Sequence, residues 1–318
     1  MATVDEQSRP GSATGTATTA PPAAPEREFT VRSRSQGEQI VRRFLHNKLA
    51  TGALIVWVTM VVLAFVVPVF YHWKWGVRDP GHESEPPGSP GHILGTQDIG
   101  RDLLADIMRG VQRSTFIALS FVVLAGVLGV LIGSLAGYFG RIADNVLMRL
   151  VDLILTIPPL VVIALVASNF PSARTPIGVA LFIAAFGWMD LARILRGQFL
   201  SLREREFVEA AHALGASDRR IIFKHLIPNS LGPIIVWSTL GAATSVILEA
   251  SLTYLGYGVS GSDISLGRLV TDGAGAADSR PWLFYFPGLV LLIIVMSINL
   301  IGDGIRDAFD PSNNRVRA

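Results

Sequence analysis

Residues that could bind a metal or act as a nucleophile are few in this sequence of 318 residues, which has six histidines and no cysteine. The absence of cysteine excludes disulfides, thiolate nucleophiles, iron–sulfur clusters and cysteine zinc sites. Three histidines stand near carboxylates in one stretch rich in proline and glycine: His72, His82 and His92 near Asp79, Glu83 and Glu85. Their spacing fits no compact pattern of metal ligands, so we predict a solvated loop here and no metal site.

Motifs for ATP binding and for hydrolytic catalysis are also absent. None of the three lysines follows a glycine in a G-x-x-x-x-G-K-[ST] run, so the sequence has no P-loop. It has no H-E-x-x-H or G-x-S-x-G motif and no paired carboxylates at a useful spacing. The net charge of +2, from 27 basic and 25 acidic residues, argues against a nucleic-acid partner. We therefore expect a chain without a catalytic residue, a metal or a cofactor of its own.

Polar residues inside long apolar runs are the remaining candidates, because a charge at membrane depth is costly and often functional. They are Asp152, Asp190, Glu249 and Asn299. Asp152 is three residues from Arg149 and Asp190 three residues from Arg193, which predicts two local ion pairs. Asn299 can bridge helices through its amide, so we interpret these three residues as structural. Glu249 has no basic residue within a helical turn, which makes it a candidate for the transport pathway or its gate.

The apolar runs themselves define the fold class. Only 16% of the residues are charged, against about one-quarter in soluble domains. The six uncharged runs are Leu49–Tyr71, Ser114–Gly140, Leu153–Ala173, Thr175–Met189, Leu226–Leu248 and Pro281–Gly302. Five are long enough to cross a membrane, which takes about 20 helical residues, and the run before Asp190 qualifies if Asp190 belongs to the helix. Buried core helices rarely have apolar runs of this length, so we predict an all-α integral membrane protein with six transmembrane helices.

The basic residues predict the orientation of these spans. With the N-terminus in the cytoplasm, most of the 27 Lys and Arg residues fall in segments on the cytoplasmic side. This is the distribution that the positive-inside rule favours. We therefore expect a multi-pass protein of the bacterial inner membrane with both termini in the cytoplasm.

The chain divides into five predicted segments. Residues 1–39 lack large apolar side chains and are expected to be a disordered cytoplasmic tail. Residues 40–71 hold a basic segment and the first span, and 72–113 form an extracytoplasmic connector. We expect the connector to end in an amphipathic surface helix over 94–113, capped by Thr96 or Asp98. Residues 114–303 form a core of five spans with two short helices at 200–228, and 304–318 form a cytoplasmic tail.

Small residues recur along the second span and predict close helix packing. Gly126, Gly129, Gly133 and Gly137 are three to four residues apart, which places them on one helical face. This face can pack within the chain or against a second subunit.

The segment between the fourth and fifth spans carries the clearest helix signals. Ser201 can cap a first helix whose apolar residues form one face: Leu202, Phe207, Val208, Ala211 and Leu214. Gly215 is placed to end that helix, and Ser217 to cap a second one with Asp218 in its first turn. Glu209 can pair with Arg205 within the first helix. The apolar face must pack on something, and composition leaves open whether that is lipid, the rest of the chain or a cytoplasmic partner.

The residues of this segment resemble a family signature. Glu209, Ala210 and Ala211, followed by Gly215 and then by Ile227 and Pro228, are similar to the EAA motif of binding-protein-dependent ABC importer permeases. The family pattern reads E-A-A-x3-G-x9-I-x-L-P. This sequence has His225 in place of the usual isoleucine and Ile227 in place of leucine, and the spacing is intact.

Further stretches resemble one subfamily, the C-type permease of dipeptide and oligopeptide importers. They are Gly95–Asp102, Met148–Asp152 with Ile157–Leu160, Glu249–Gly256 and Asn299–Pro311. Gly95–Asp102 is similar to G-T-D-x-x-G-R-D, and Glu249–Gly256 to E-A-S-L-S-F-L-G. The resemblance covers about residues 94–311 and keeps the order of its parts.

The resemblance implies a type I ABC importer permease fold and a set of partners. It implies a heterodimer with a second permease, two ABC ATPase subunits that hold ATP and Mg, an extracytoplasmic substrate-binding protein and a peptide substrate in a lipid membrane. The residues it assigns to ATPase coupling are Glu209, Ala210, Ala211, Gly215, Ala216, Ser217, Asp218, Ile227 and Pro228. Two alternatives stay open: the same architecture importing nickel or another small solute, and a membrane scaffold or receptor that transports nothing.

Overall fold

A computed structural model describes residues 36–170, 174–260 and 263–310 of the chain. Most of the predicted N-terminal tail (1–35) and of the predicted C-terminal tail (311–318) therefore lies outside the described residues. Within the described ranges the chain forms α-helices, with one long connection over residues 71–102. These helices are α1 Gln36–His46, α2 Lys48–Phe70, α3 Leu103–Phe139, α4 Arg141–Leu155, α5 Pro159–Asn169, α6 Pro176–Leu202, α7 Glu206–Ala213, α8 Asp218–Ile221, α9 Ile227–Asn229, α10 Leu231–Tyr254, α11 Leu266–Ala274 and α12 Trp282–Phe309.

The membrane spans follow the predicted apolar runs. In the described part of the chain, α2, α3, α6, α10 and α12 are each long and apolar enough to cross a membrane. In place of a single third span starting at Leu153, the structure has a bent pair, α4 and α5, which begins at Arg141 and changes direction by 72°. The break lies at Pro158 and Pro159, where the first proline disfavours a helical residue before it and the second opens α5. With this pair counted as one span, the described part of the chain has six candidate spans, the predicted number.

Both terminal boundaries differ from the prediction. Helix α1 begins at Gln36, within the segment predicted as a disordered tail, and α12 runs to Phe309, within the predicted C-terminal tail. The two ends stabilise each other. Arg43 of α1 donates to the carbonyls of Ala308 and Asp310 at the end of α12, where helix carbonyls lack intrahelical partners.

The glycines of α3 pack against α6. A Cβ atom at Gly129 would lie 2.7 Å from the Leu191 Cβ atom, and one at Gly133 would lie 2.6 Å from the Ala192 carbonyl oxygen. Gly137 is equally close to Phe199, whereas a Cβ at Gly126 would meet nothing within 4 Å. The small-residue face therefore comprises three of the four predicted glycines, and it packs within the chain.

The connector after the first span is ordered, which corrects the expectation of a solvated loop. Residues 71–102, here called the cap, form a chain of turns around buried polar side chains. His92 is fully buried, with its ring stacked on Trp73 at 4.7 Å and its Nδ1 atom 2.8 Å from an Asp102 carboxylate oxygen. The Tyr71 hydroxyl donates to the same oxygen over 3.0 Å. Burial, with the Asp102 charge beside it, raises the pKa of Tyr71 to about 12.

The prediction of a separate amphipathic surface helix over 94–113 is wrong in two respects. The helix begins at Leu103, and it is continuous with the second span. Residues 103–139 form a single helix, α3, whose N-cap is Asp102, with the Asp102 carboxylate accepting from the Ala105 amide. The predicted caps have other roles: the Thr96 hydroxyl donates to the His82 carbonyl, and Asp98 pairs with Arg280. The span extends because the apolar residues of 103–111 pack into the protein core and need no membrane surface.

Candidate functional site

The segment between α6 and α10 forms a projection of short helices at one end of the spans. We call residues 203–230, with α7, α8 and α9, the coupling projection. Ser201 lies inside α6 and does not cap α7, because α6 continues to Leu202 and the N-cap of α7 is Arg205. The last turn before α9, Ile222–Leu226, is π-helical, a local widening often found at functional sites.

Gly215 ends α7 as the sequence predicts. Its φ of +77° is in the left-handed region, where a side chain is strained. The Gly215 amide donates to the His212 carbonyl over 2.9 Å, and the Ala216 amide to the Ala211 carbonyl over 3.0 Å. These two bonds form a Schellman motif, which fixes the direction in which α8 leaves the turn.

An apolar cluster joins the projection to the ends of the spans. Its buried side chains are Phe199, Val208, Ala211, Ile221, Ile222 and Leu226, with Tyr138, Leu202, Ala216 and Ile227 packed around them. Phe199 belongs to α6 and Tyr138 to α3, so both helices of the projection rest on the same pair of spans. The projection can therefore move with α3 and α6 as one body.

A hydrogen-bonded tyrosine holds the two helices of the projection together. The Tyr138 hydroxyl at the end of α3 donates to the Asp218 carboxylate over 2.6 Å. The same hydroxyl lies 3.4 Å from the Nε2 atom of His212, whose ring is stacked on the tyrosine ring. Asp218 thus binds α3, while Ser217 forms no side-chain capping bond with the residues described. Sequence reasoning missed Tyr138, because 80 residues separate it from Asp218.

The outer surface of the projection combines small, acidic and apolar side chains. Glu209 and Ala210 are exposed there, next to Phe207, and Leu214 at the tip is 89% exposed. The predicted apolar face is therefore divided: Val208 and Ala211 pack within the chain, whereas Phe207 and Leu214 stay exposed.

Two further predictions concern the Glu209–Arg205 pair and the residues Ile227 and Pro228. In the part of the chain that the structure describes, Glu209 forms no ion pair, so the predicted pair with Arg205 is not made. Ile227 is half-buried at the start of α9, and Pro228 is exposed beside it. Helix α9 is short and ends at Asn229, directly before α10, so the projection is joined rigidly to the fifth span.

Glu249 lies in the interior of the chain, away from the projection. Its exposed fraction is 0%. One carboxylate oxygen accepts from the Ser265 hydroxyl over 2.7 Å and from the Thr253 hydroxyl over 2.9 Å. Ser265 is the N-cap of α11, so Glu249 fastens α11 to α10. In this conformation Glu249 does not line an open path, and its assignment to a pathway or gate stays a prediction.

Neither predicted local ion pair is formed among the described residues, and Asp152 pairs between helices instead. Arg193 of α6 pairs with Asp152 of α4 over 2.5 Å, so Asp152 does not pair with Arg149 and Asp190 does not pair with Arg193. A second such pair joins Asp144 of α4 to Arg196 of α6. Both pairs fix α4 on α6, which a local pairing within one helix would not do.

The remaining polar candidates have few contacts. Asp190 is exposed on α6, and Asn299 is half-buried on α12 without a side-chain hydrogen bond to any residue in the described ranges. The predicted role of Asn299 in bridging helices is therefore not observed in the described part of the chain. Over those ranges no three His, Asp or Glu side chains are arranged to hold a metal ion.

Comparison with known sequences gives two family matches. The profile of the family described as binding-protein-dependent transport system inner membrane component matches residues 129–315. The profile of the N-terminal TM domain of oligopeptide transport permease C matches residues 35–87.

Curated relatives match over most of the chain. The oligopeptide transport system permease protein OppC of Mycobacterium tuberculosis is 38% identical, over 87% of this chain and 95% of its own length. OppC of Bacillus subtilis is 36% identical over 89% and 92% of the two chains. The dipeptide transport system permease protein DppC of Alkalihalophilus pseudofirmus is 35% identical over 90% and 93%.

Solved structures confirm the predicted fold. A chain of the MetNI methionine ABC transporter, in an inward-facing conformation, matches with a TM-score of 0.52 and 19% identity, over 64% of this chain and 97% of that chain. The fold is thus that of a type I ABC importer permease. The chain belongs to the family of binding-protein-dependent transport system inner membrane components, as the resemblance of its motifs predicts.

Proposed function

We propose that this chain is the permease subunit of an ATP-driven ABC importer for dipeptides or oligopeptides. The relatives named as oligopeptide and dipeptide permeases support the substrate class, since they match over nearly their whole length. The observation that carries the coupling role is the geometry of the projection. A rigid pair of short helices rests on α3 and α6 and presents an uncovered surface around Glu209, Ala210 and Leu214.

The proposal assigns partners to the two ends of the molecule. A second permease completes the translocation pathway, and an extracytoplasmic substrate-binding protein delivers the peptide. Each permease docks on one of two ABC ATPase subunits, which hold the ATP and Mg. The lack of a P-loop in the sequence supports this division, because the chain then needs an ATPase on other chains. It follows that this chain binds no cofactor of its own.

The coupling projection would transmit motion from the ATPase into the membrane. We place it in the cytoplasm, with the N-terminus and C-terminus on the same side. The exposed Leu214 and Phe207 suit a cleft on the ATPase, since exposed apolar side chains rimmed by polar ones mark contact sites. Closure of the ATPase dimer would push the projection as a rigid body and tilt α3, α6 and α10, which is a two-state switch between packed arrangements.

Substitutions at Gly215 test this role. Valine at a φ of +77° is strained by about 1–2 kcal/mol, which corresponds to roughly 5- to 30-fold in an equilibrium. No atom lies within 4 Å of the position a Cβ would take, so the change acts on the turn and not on packing. We expect Gly215→Val to lower peptide uptake per ATP hydrolysed in proteoliposomes, while the protein still inserts.

Asparagine at the same position is the matched control. Asparagine tolerates the left-handed conformation, so Gly215→Asn should couple hydrolysis to uptake nearly as the unmodified protein does. Normal coupling by Gly215→Val would contradict the assignment of the projection. Equal loss of coupling in both variants would show that any side chain at position 215 impairs coupling, and that the left-handed conformation of the turn is not the cause.

The substrate class has its own test. In the reconstituted complex with its binding protein, labelled dipeptides and oligopeptides should be taken up with ATP, and excess Ni²⁺ should not compete. Competition by Ni²⁺, without uptake of peptide, would favour import of another small solute. Neither uptake nor ATPase binding would favour a non-transporting scaffold.

A further inference from the structure

A cavity of about 690 Å³ lies at the same end of the molecule as the coupling projection. It is bounded by the basic helix α1, by α9 and the first turn of α10, and by the last turn of α12. It adjoins the coupling projection at Pro228 of α9, and the proposed transport cycle assigns no ligand to it. Its walls belong to three parts of the chain that are far apart in sequence.

The depth of this cavity is that of the lipid headgroups. Helix α1 ends two residues before Lys48, where the first span begins, and α12 ends at Phe309, seven residues after its apolar run ends at Gly302. The exposed apolar side chains of α1, Val41 and Leu45, suit a helix that lies in the membrane surface. The cavity therefore lies between the start of two spans and the end of a third, at the boundary between hydrocarbon and water.

The cavity has both apolar and charged lining residues. Ile40, Pro233, Val236 and Phe309 provide apolar surface. Arg43 and Arg306 provide two guanidinium groups against the carboxylate of Asp310. The lining has a net positive charge and an apolar wall, which complements a molecule with an anionic head and a hydrocarbon chain.

Both arginines have N–H donors that can bind an anion. Both hydrogen bonds of Arg43 to the end of α12 use its Nη1 atom, and a guanidinium carries five N–H donors. Arg306 is exposed at the rim and forms no ion pair with a residue in the described ranges. Guanidinium groups bind phosphate with charge-assisted, often bidentate hydrogen bonds.

We propose that this cavity binds an anionic phospholipid. The phosphate lies between Arg43 and Arg306, and the first carbons of the acyl chains lie along Pro233 and Val236 of α10. The lipid then links α1 and the end of α12 to the point where the coupling projection joins α10.

Native mass spectrometry of the full chain, released from micelles that contain phosphatidylglycerol or phosphatidylcholine, tests the site. We expect phosphatidylglycerol to be retained in preference to phosphatidylcholine. Each basic residue near an anionic lipid contributes about 1 kcal/mol, so Arg306→Gln and Arg43→Gln should each weaken phosphatidylglycerol binding about fivefold. The matched control is Arg42→Gln, which removes a charge from the same helix at an exposed residue outside the cavity.

Other variants and ligands keep the proposal falsifiable. Val236→Trp fills the apolar wall and leaves both arginines, and it should also weaken binding; thermal unfolding of each lipid-free variant checks its fold. Equal weakening by Arg42→Gln would show attraction to the whole basic surface and overturn the site. Equal retention of phosphatidylcholine, or displacement of the lipid by inorganic phosphate at the same concentration, would also overturn it.

Discussion

At the level of single residues, the hydroxyl of Tyr138 connects three parts of the chain. It binds Asp218 of α8, lies beside His212 of α7 and belongs to the end of α3. A motion of the coupling projection must therefore pull on α3 as well as on α6. The hydrogen bond to a charged carboxylate is of the stronger kind in proteins.

Tyr138→Phe should loosen the projection without unfolding the spans. The ring keeps its stacking, and Asp218 is exposed enough to be solvated when the hydroxyl is removed. The net loss is about 1 kcal/mol, so amide hydrogen exchange in α7 and α8 should be about fivefold faster. Exchange in the α3–α6 core should not change.

Tyr254→Phe is the control, because Tyr254 is exposed and its hydroxyl makes no hydrogen bond with the described residues. Unchanged exchange in α7 and α8 of the Tyr138 variant would show that the apolar cluster alone holds the projection.

The buried carboxyl of Glu249 shows how a residue without a basic neighbour in the sequence acquires polar partners in the fold. The sequence shows that no basic residue is near, which is correct. It does not show that Ser265, 16 residues further on, returns to the same place. The Ser265 hydroxyl becomes a partner only because α11 folds back on α10, whereas Thr253 lies one turn further along α10 itself.

At the level of elements, the approach of α3 to α6 depends on missing side chains. Backbone atoms of Ala192 lie where a Cβ of Gly133 would be, so even alanine requires the two helices to separate. Gly126, on the same helix, has free space around it. Comparing substitutions at Gly133 and Gly126 therefore separates the effect of close helix packing from the low helix propensity of glycine.

Gly133→Ala and Gly126→Ala should act in opposite directions on stability. Overpacking at Gly133 should lower the free energy of unfolding by about 1–3 kcal/mol. Alanine at Gly126 should raise it by up to about 1 kcal/mol, because alanine is the better helix former. Thermal unfolding in detergent measures both, and the same sign for the two variants would refute the packing role of Gly133.

The bend between α4 and α5 is an element that the sequence indicates in part. The two prolines at its centre predict a break. The direction of the bend follows from contacts between helices, since Asp144 and Asp152 both pair with arginines of α6. An interpretation in terms of Arg149 within α4 could not reveal this connection.

At the level of the whole molecule, the proposed orientation puts the cap and the coupling projection on opposite sides of the membrane. The chain has no cysteine, so single cysteines can report the side of each end. Leu214 is exposed at the tip of the projection and Ile93 is exposed on the cap.

Leu214→Cys and Ile93→Cys should label from opposite sides. In intact cells, a membrane-impermeant maleimide should modify the cysteine at position 93 and leave the one at position 214 unmodified until the membrane is opened. The unmodified protein is the control for background labelling. The reverse pattern would place the projection outside and would remove the basis for its contact with an ATPase.

The sequence by itself determined the family, the six candidate spans and the position of the turn at Gly215. These follow from local properties: the length of an apolar run needed to cross hydrocarbon, and the glycine needed at a left-handed turn. The tertiary structure decided which side chains meet. Asp152 pairs with an arginine 41 residues away, and Tyr138 binds a carboxylate 80 residues away, because helices of opposite direction bring distant segments side by side. It also decided that Leu214 is exposed and that the cap is ordered, since burial depends on all neighbouring elements together.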